Sequence, residues 1–587
     1  MKKTYSRVHI VHWQHVLFVF IALLACIGAA FGIWTMLAAP PLRSVSSADQ
    51  LDLLSTGWNF VPGTSLGNDG LHVSTLDRAI VRQDGTPGQS NPPINAYGTH
   101  LQASGDMTLT ADMNSIKGTA ALQLNGGVPI VQDEFRVEPK GLRISLSSTS
   151  LTLSRWNSYT TQDVYNQRPA QTTSYPIQLQ PRNVLSIERR GSQLTVSLNT
   201  HRIATIPEQG VLGHDIWFGV DGGQLGDSWV LGGLHAAGTS GAAVSLANSQ
   251  DHTRFTPTAG TLLQSAATKK RPGFLIGAAV AASPAATDPK YGQLAFGGNF
   301  GQITTENVLK WQFIHPQPTV YDFHEADSLV AIARKNNLAV HGHTLVFGEA
   351  NPAWVQHLPV NSAADKANVK QVMTDHITQV VSHFKGQVAS WDVVNEPLAE
   401  DSDATNDGLR THIWYNAMGA DYITEAFRAA HQADPSAKLY INEFGLEADG
   451  SRWDKFLALV TQLKASGVPI DGVGFEAHVY QSGDEIDPAT LKAHMQALAR
   501  VGLASRISEM DVYADNGTDA QAQQYAGVLG ACLSEPSCVS WSTWGVSDHY
   551  DLFLDDNNTV QHGTDFLWDG QYAPTPAVTA LLKVLGS

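Results

Sequence analysis

Two textures of hydrophobic patterning divide the chain. Between about Leu51 and Ala236 apolar residues alternate with polar ones over short runs. Met107–Met113, Leu142/Ile144/Leu146 and Leu151/Leu153 are examples, and Gly, Pro and Asn break the runs. A period of two predicts half-buried strands. Val184–Ile187 and Leu194–Leu198 flank Arg190-Gly191-Ser192, a spacing that predicts a hairpin turn. No helical period intervenes, so residues 51–236 read as an all-β sandwich. Residues 237–273 are rich in Ala, Gly, Ser and Thr and read as a linker.

From Phe274 onward apolar, strand-like runs alternate with amphipathic ones. The strand candidates are Leu275–Val280, Gln302–Glu306, Ala339–Val346, Val388–Asn395, Lys438–Phe444, Gly472–His478, Arg506–Val512 and Val539–Trp544. Helical periodicity runs through Glu325–Lys335, Ala364–Phe384, Tyr422–Gln432, Ala489–Val501 and Asp519–Leu533. In Ser451–Ser466 one face carries Trp453, Phe456, Leu457, Val460 and Leu463, with Ser451 placed to cap and Gly467 to stop the helix. Eight strands alternating with helices over residues 274–587 predict an α/β fold, a (β/α)8 barrel of the TIM type.

Ahead of both regions the pattern changes again. Lys2, Lys3 and Arg7 precede an apolar run from Val16 to Ala39, long enough to span a bilayer and longer than the core of an ordinary signal peptide. Residues 1–40 read as an N-terminal transmembrane helix. It would be an uncleaved signal anchor, with the later domains outside the cell membrane in single-pass topology. Two other readings stay open: cleavage near Leu37-Ala38-Ala39, giving a secreted protein, and processing at Cys26 as a lipid-bearing residue.

Composition narrows the function. At 587 residues the chain needs more than one domain, and a net charge of −17 with no basic stripe excludes nucleic acid as an expected partner. Of three cysteines, Cys532 and Cys538 lie six apart and, in an exported domain, read as a short-loop disulfide. Two glutamates then stand out. Glu396, in Trp391-Asp392-Val393-Val394-Asn395-Glu396-Pro397, closes the fourth strand candidate, and Glu509, in Ser508-Glu509-Met510-Asp511, lies toward the end of the seventh. A carboxylate where a buried strand emerges is costly to desolvate, and two at one barrel mouth suggest a paired-carboxylate catalyst.

With these motifs in order, the segment from about Phe274 to Leu585 resembles glycoside hydrolase family 10, retaining endo-β-1,4-xylanases. Thr304–Trp311 is similar to the family's second-strand motif, His341–Val346 with Pro352-Ala353-Trp354-Val355 to the third, and Trp391–Pro397 to the fourth. Ile441-Asn442-Glu443-Phe444, Gly472–His478, Ser508–Asp511 and Trp544–Asp548 resemble the remaining four. The cysteine pair also sits where such enzymes often carry a disulfide. The resemblance implies Glu396 as general acid/base and Glu509 as nucleophile, with His478 and Asp511 orienting Glu509. It implies that Asn395 binds the sugar's 2-hydroxyl, that Glu306, Asn307, Lys310 and His343 line the glycone side, that Glu476 belongs to the substrate site, and that Trp544 stacks on sugar. No cofactor or metal is needed for this chemistry, and the implied partner is a xylan-like polysaccharide. The β region resembles, in texture alone, the lectin-like sandwiches often attached to carbohydrate enzymes. Its Trp58, Trp156, Trp217 and Trp229 either stack on sugars or, as large aromatics usually do, fill the core.

The pocket departs from the family pattern at several positions. Phe347 and Gly348 stand where Trp and His are usual, Ala350 where a Gln is expected, and Glu476 where Gln is usual. Leu552 replaces a second stacking Trp, and Gly445 an Asn. These losses bear on the sugar more than on the chemistry. They leave two alternatives beside xylan: the same mechanism on a β-glucan or surface glycan, and an inert glycan-binding surface protein.

Overall fold

The structure, a computed structural model, describes residues 262–587 except 400–406, 481–482, 514–517, 551, 555–559 and 563. Before them it describes the strands and adjoining turns within residues 51–260, together with Val8–His9.

The C-terminal region is an eight-stranded parallel barrel. Its strands are β1 (Leu275–Ala279), β2 (Gln302–Thr304), β3 (Ala339–Gly342), β4 (Ser390–Asn395), β5 (Lys438–Glu443), β6 (Gly472–Phe475), β7 (Ala504–Val512) and β8 (Cys538–Thr543). Each pairs in parallel with its neighbours in sequence, and β8 pairs with β1 to close the ring. Because both faces are covered, the strands are buried almost throughout, as in Gly472-Val473-Gly474-Phe475, whose four residues are all buried. The helices between them include His324–Lys335, Ala363–His383, Asp421–Ala433, Ser451–Ala465, Pro488–Arg500 and Thr518–Ser534.

Helix Ser451–Ala465 buries Trp453, Phe456, Val460 and Leu463 against the barrel, the face the period predicts. Its start differs from expectation. Gly450 is the N-cap and Ser451 the first helical residue, so no side-chain cap forms. Gly467, at φ +72°, ends the run as anticipated, since glycine takes the left-handed conformation without steric cost. The cysteine pair forms the expected disulfide, Cys532–Cys538.

Between residues 51 and 246 two eight-stranded antiparallel sheets share one cluster of buried side chains. Met107–Lys117 shows why: Met107, Leu109, Ala111 and Met113 point inward and the residues between them do not. Arg182–Arg190 and Gln193–Leu198 form the anticipated hairpin, with Arg190 opposite Gln193 and Gly191-Ser192 in the turn. Trp229 belongs to this core, 2% exposed and donating from Nε1 to the Asp221 carbonyl at 3.0 Å. Trp58 and the side chains of Trp156 and Trp217 lie outside the described residues. The stretch read as a linker is shared out. Val244–Leu246 pairs with Ala96–Ala103, whereas Phe255 stacks on Phe296, and helix Leu263–Lys270 inserts Leu263, Ala266 and Ala267 into the barrel's core.

Among the described residues no helix is long and apolar enough to cross a membrane. The apolar run Val16–Ala39, on which the transmembrane expectation rests, lies outside the described residues.

Candidate active site

The strands deliver their polar residues to one end of the barrel. β4 ends at Asn395, and Glu396 follows with φ +47°. A side-chain-bearing residue held there costs on the order of 1–3 kcal/mol, so the backbone must be tied down. The Glu396 N–H donates to the Asn442 carbonyl on β5 at 2.9 Å. Two residues further along the loop, the Leu398 N–H donates to Glu443 Oε2 at 2.9 Å, and Arg452 Nη2 holds Glu443 Oε1 at 2.6 Å. Glu443 thus anchors the loop that carries Glu396.

β6 is shorter than its apolar run suggests. It stops at Phe475, Ala477 takes φ +62°, and His478–Val479 resumes pairing beside β7. The Ala477 N–H donates to Glu447 Oε1 at 2.8 Å, which holds this break. The break brings Glu476 and His478 to the same place as Glu509.

Asn442 lies at the centre. Its Nδ2 is 2.6 Å from Glu509 Oε1, 2.8 Å from Asn395 Oδ1 and 3.1 Å from Glu476 Oε1. Ser508 Oγ lies 2.7 Å from its Oδ1, and the Glu509 carboxylate at the other end requires the amide NH2 to face it. Room for that amide comes from Gly474, where a Cβ would approach Asn442 Oδ1 to 2.0 Å. Asn395 in turn donates from Nδ2 to Glu396 Oε1 at 3.3 Å. Glu396 and Glu509, more than a hundred residues apart in sequence, therefore belong to one hydrogen-bonded group through Asn395 and Asn442.

Their surroundings differ. Burial pushes the Glu396 carboxyl up to about 8. Arg410 opposes the rise, while Glu349, Glu443 and Glu509 add to it. Arg410 is forked between two carboxylates, its Nη2 2.9 Å from Glu396 Oε2 and its Nη1 2.9 Å from Glu349 Oε1. Glu509 is buried and faces N–H groups instead. Besides Asn442, His478 Nε2 is 3.5 Å from its Oε2 and His343 Nδ1 3.8 Å from its Oε1. Burial depresses His478, but Asp511, at 2.7 Å from Nδ1, together with Tyr480 and Glu476, outweighs it and holds the imidazole well above its ordinary value.

The other expected residues divide. His343 is buried and sits 3.0 Å from Asp392 Oδ2, edge-on to Trp544. Lys310 Nζ donates to Asn307 Oδ1 at 2.7 Å. Glu306 is buried, 1% exposed. The expectation missed Asn442, Arg410, Glu349 and Asp392. Asp392 joins His341 Nε2 at 2.8 Å to His343, and although burial opposes its charge, these imidazoles and Arg506 hold it well below the usual carboxylate range. Asn442 and Asp392 were detectable as polar residues inside apolar strands. Arg410 and Glu349 lie in loops, where no periodicity marks them.

A closed parallel barrel with a carboxylate cluster at the C-terminal ends of its strands defines the class of protein: a glycosidase-type barrel. The chain belongs to glycosyl hydrolase family 10, whose family pattern matches residues 263–584. It is 33% identical over 287 residues to endo-1,4-beta-xylanase C of Phanerodontia chrysosporium, covering 48% of this chain and 69% of that relative. It is 37% identical over 267 residues to a beta-1,4-xylanase of Dictyoglomus thermophilum, covering 43% and 72%. Among solved structures, native xylanase 10B from Thermotoga maritima is similar, with 32% identity and a TM-score of 0.50 over 56% of this chain and 98% of that one. Xylanase 10B from Thermotoga petrophila, solved in complex with xylobiose, is similar to the same degree and extent.

Proposed function

We propose that the barrel is an endo-acting, retaining β-1,4-xylanase. In the first step Glu509 attacks the anomeric carbon while Glu396 protonates the departing glycosidic oxygen. A covalent glycosyl-enzyme results. In the second step Glu396 takes a proton from water, the water attacks the same carbon, and Glu509 leaves. The observation that carries this reading is one hydrogen-bonded group that joins two carboxyls with different neighbours. Glu396, with a value of about 8, enters as an acid near neutral pH. Glu509 is aimed by Asn442 and His478. In this reading His478 and Asp511 hold the nucleophile's side of the site, and Asn395, beside Glu396, meets the sugar's 2-hydroxyl. Lys310, Asn307, Glu306 and His343 form the glycone wall, with Trp544 as the stacking face.

Family membership and the xylanase relatives support xylan as substrate. The test is a panel of xylan, mixed-linkage glucan and cellulosic substrates, with product anomers followed by NMR. Internal cleavage of xylan with initial release of β-anomers is expected. Preference for a glucan, or initial α-anomers, would overturn the substrate or the mechanism respectively.

Arg410 sets the acid's working range in this reading. Replacing it by methionine removes an opposite charge 2.9 Å from Glu396 and should raise the alkaline limb of kcat/KM by about 1 pH unit or more. An unmoved limb in a folded Arg410→Met protein would show that Glu396 does not control it.

The basic start and the apolar run Val16–Ala39 support export with the enzyme held at the cell membrane. Activity of the full chain should sediment with membranes and be released by detergent but not by salt. Recovery in the culture fluid would favour cleavage.

A further inference from the structure

The proposed steps leave one buried acid without a task. Glu476 is 3% exposed and shares its hydrogen-bond donors with Glu509. Asn442 Nδ2 is 3.1 Å from Glu476 Oε1 and 2.6 Å from Glu509 Oε1, while His478 Nε2 is 3.5 Å from an oxygen of each. Nδ2 carries two hydrogens and has Asn395 Oδ1 as a third claimant at 2.8 Å. His478 Nε2 carries one hydrogen, since Nδ1 is engaged by Asp511 at 2.7 Å. Asn442 and His478 thus offer three N–H bonds to five acceptor atoms, while His343 Nδ1, 3.8 Å from Glu509 Oε1, is engaged by Asp392 at 3.0 Å. One more hydrogen, on a carboxyl, turns one of these acceptors into a donor, so that four donor hydrogens face four acceptors.

Charge points the same way. Glu476 faces Glu509 on β7, Glu396 and Arg410 from the loop after β4, and His478 on its own segment. Glu443 and Glu447 come from the β5 side, with the Glu443 carbonyl accepting the Glu476 N–H. Asp511, the imidazolium of His478 and one ionised glutamate already make a compact charged group. A second ionised glutamate within 4.8 Å adds repulsion in a buried site. Retaining chemistry requires Glu509 to be the charged member. We propose that Glu476 is a positioning residue that works as a neutral carboxylic acid, supplying the missing O–H to this group and leaving Asn442 and His478 free to aim Glu509. Burial first, then Glu509 and Glu396, lift its carboxyl well above the ordinary range, and His478 only partly offsets them. In the family pattern an amide is usual here, and a neutral acid reproduces its donor until it ionises. Above that point the charged side chain competes for the nucleophile's two partners.

This inference rests on Glu509 as nucleophile, which labelling of the wild-type enzyme by a fluoro-sugar tests separately. With labelling established, kcat/KM on an aryl β-xylobioside is measured against pH for wild type and Glu476→Gln. The mutant-to-wild-type ratio should rise with pH, approaching about tenfold per pH unit once Glu476 ionises in the wild type, because the variant lacks that ionisation. A ratio flat across pH would overturn the proposal. Infrared difference spectra provide a readout without turnover. A protonated-carboxyl band present in wild type should vanish in Glu476→Gln and persist in Glu396→Ala. If every protonated-carboxyl band vanishes in Glu396→Ala, Glu476 is ionised and the proposal fails.

Discussion

Replacing Glu509 with alanine is expected to lower kcat on xylan by on the order of 10⁴-fold or more, the scale seen when a covalent nucleophile is removed. No neighbour is placed to substitute. In the proposed mechanism Glu396 stands on the leaving-group side and is held by Arg410 at 2.9 Å, and Glu476 is the neutral partner. The loss should fall on kcat rather than KM, since the sugar contacts proposed for Asn395, Lys310 and Trp544 are untouched. Labelling by a fluoro-sugar should disappear with activity. Folding should survive, because Glu476 already lies within reach of Asn442 Nδ2 and His478 Nε2 and can take over both donors when Glu509 is removed, so neither is left unpaired. Near-wild-type hydrolysis by a folded Glu509→Ala protein would refute the assignment.

The second large effect is at Glu396, and its signature is dependence on the leaving group. Glu396→Ala should slow xylan hydrolysis by about 10²–10⁴-fold, the usual contribution of a positioned general acid. A substrate with an acidic phenol as leaving group needs little protonation, so its glycosylation step should be nearly normal and the slow step should become hydrolysis of the intermediate. A burst of phenol followed by slow turnover is therefore expected. The alkaline limb that the wild type owes to a group with a value of about 8 should be absent, because the titrating acid is gone. Equal losses on both substrates would place Glu396 outside the proton transfer.

The reactive residues were legible in the sequence for a physical reason. Glu396 and Glu509 are ionisable groups on buried strands or their ends, and a buried strand tolerates such residues only where something uses them. The barrel was legible because parallel strands covered on both faces read as continuous apolar runs separated by helical periods. Strand ends were less so. Apolarity continued through Gly472–His478, yet β6 stops at Phe475, since the left-handed turn at Ala477 depends on Glu447, thirty residues earlier.

The sequence by itself determined the order of strands and helices, the two carboxylates, and the glycines and cysteines that suit tight turns and a disulfide, because these follow from local periodicity and residue chemistry. Only the tertiary structure decided who stands next to whom. It set Asn442 between Glu509, Glu476 and Asn395, forked Arg410 between Glu349 and Glu396, and made Glu443 a loop anchor instead of a third reactive acid. Those pairings, through burial and neighbouring charge, set which carboxyl carries a proton. Residues from β4, β5, β6 and β7 meet only when the barrel closes, so no local stretch of chain encodes the environment that separates the acids.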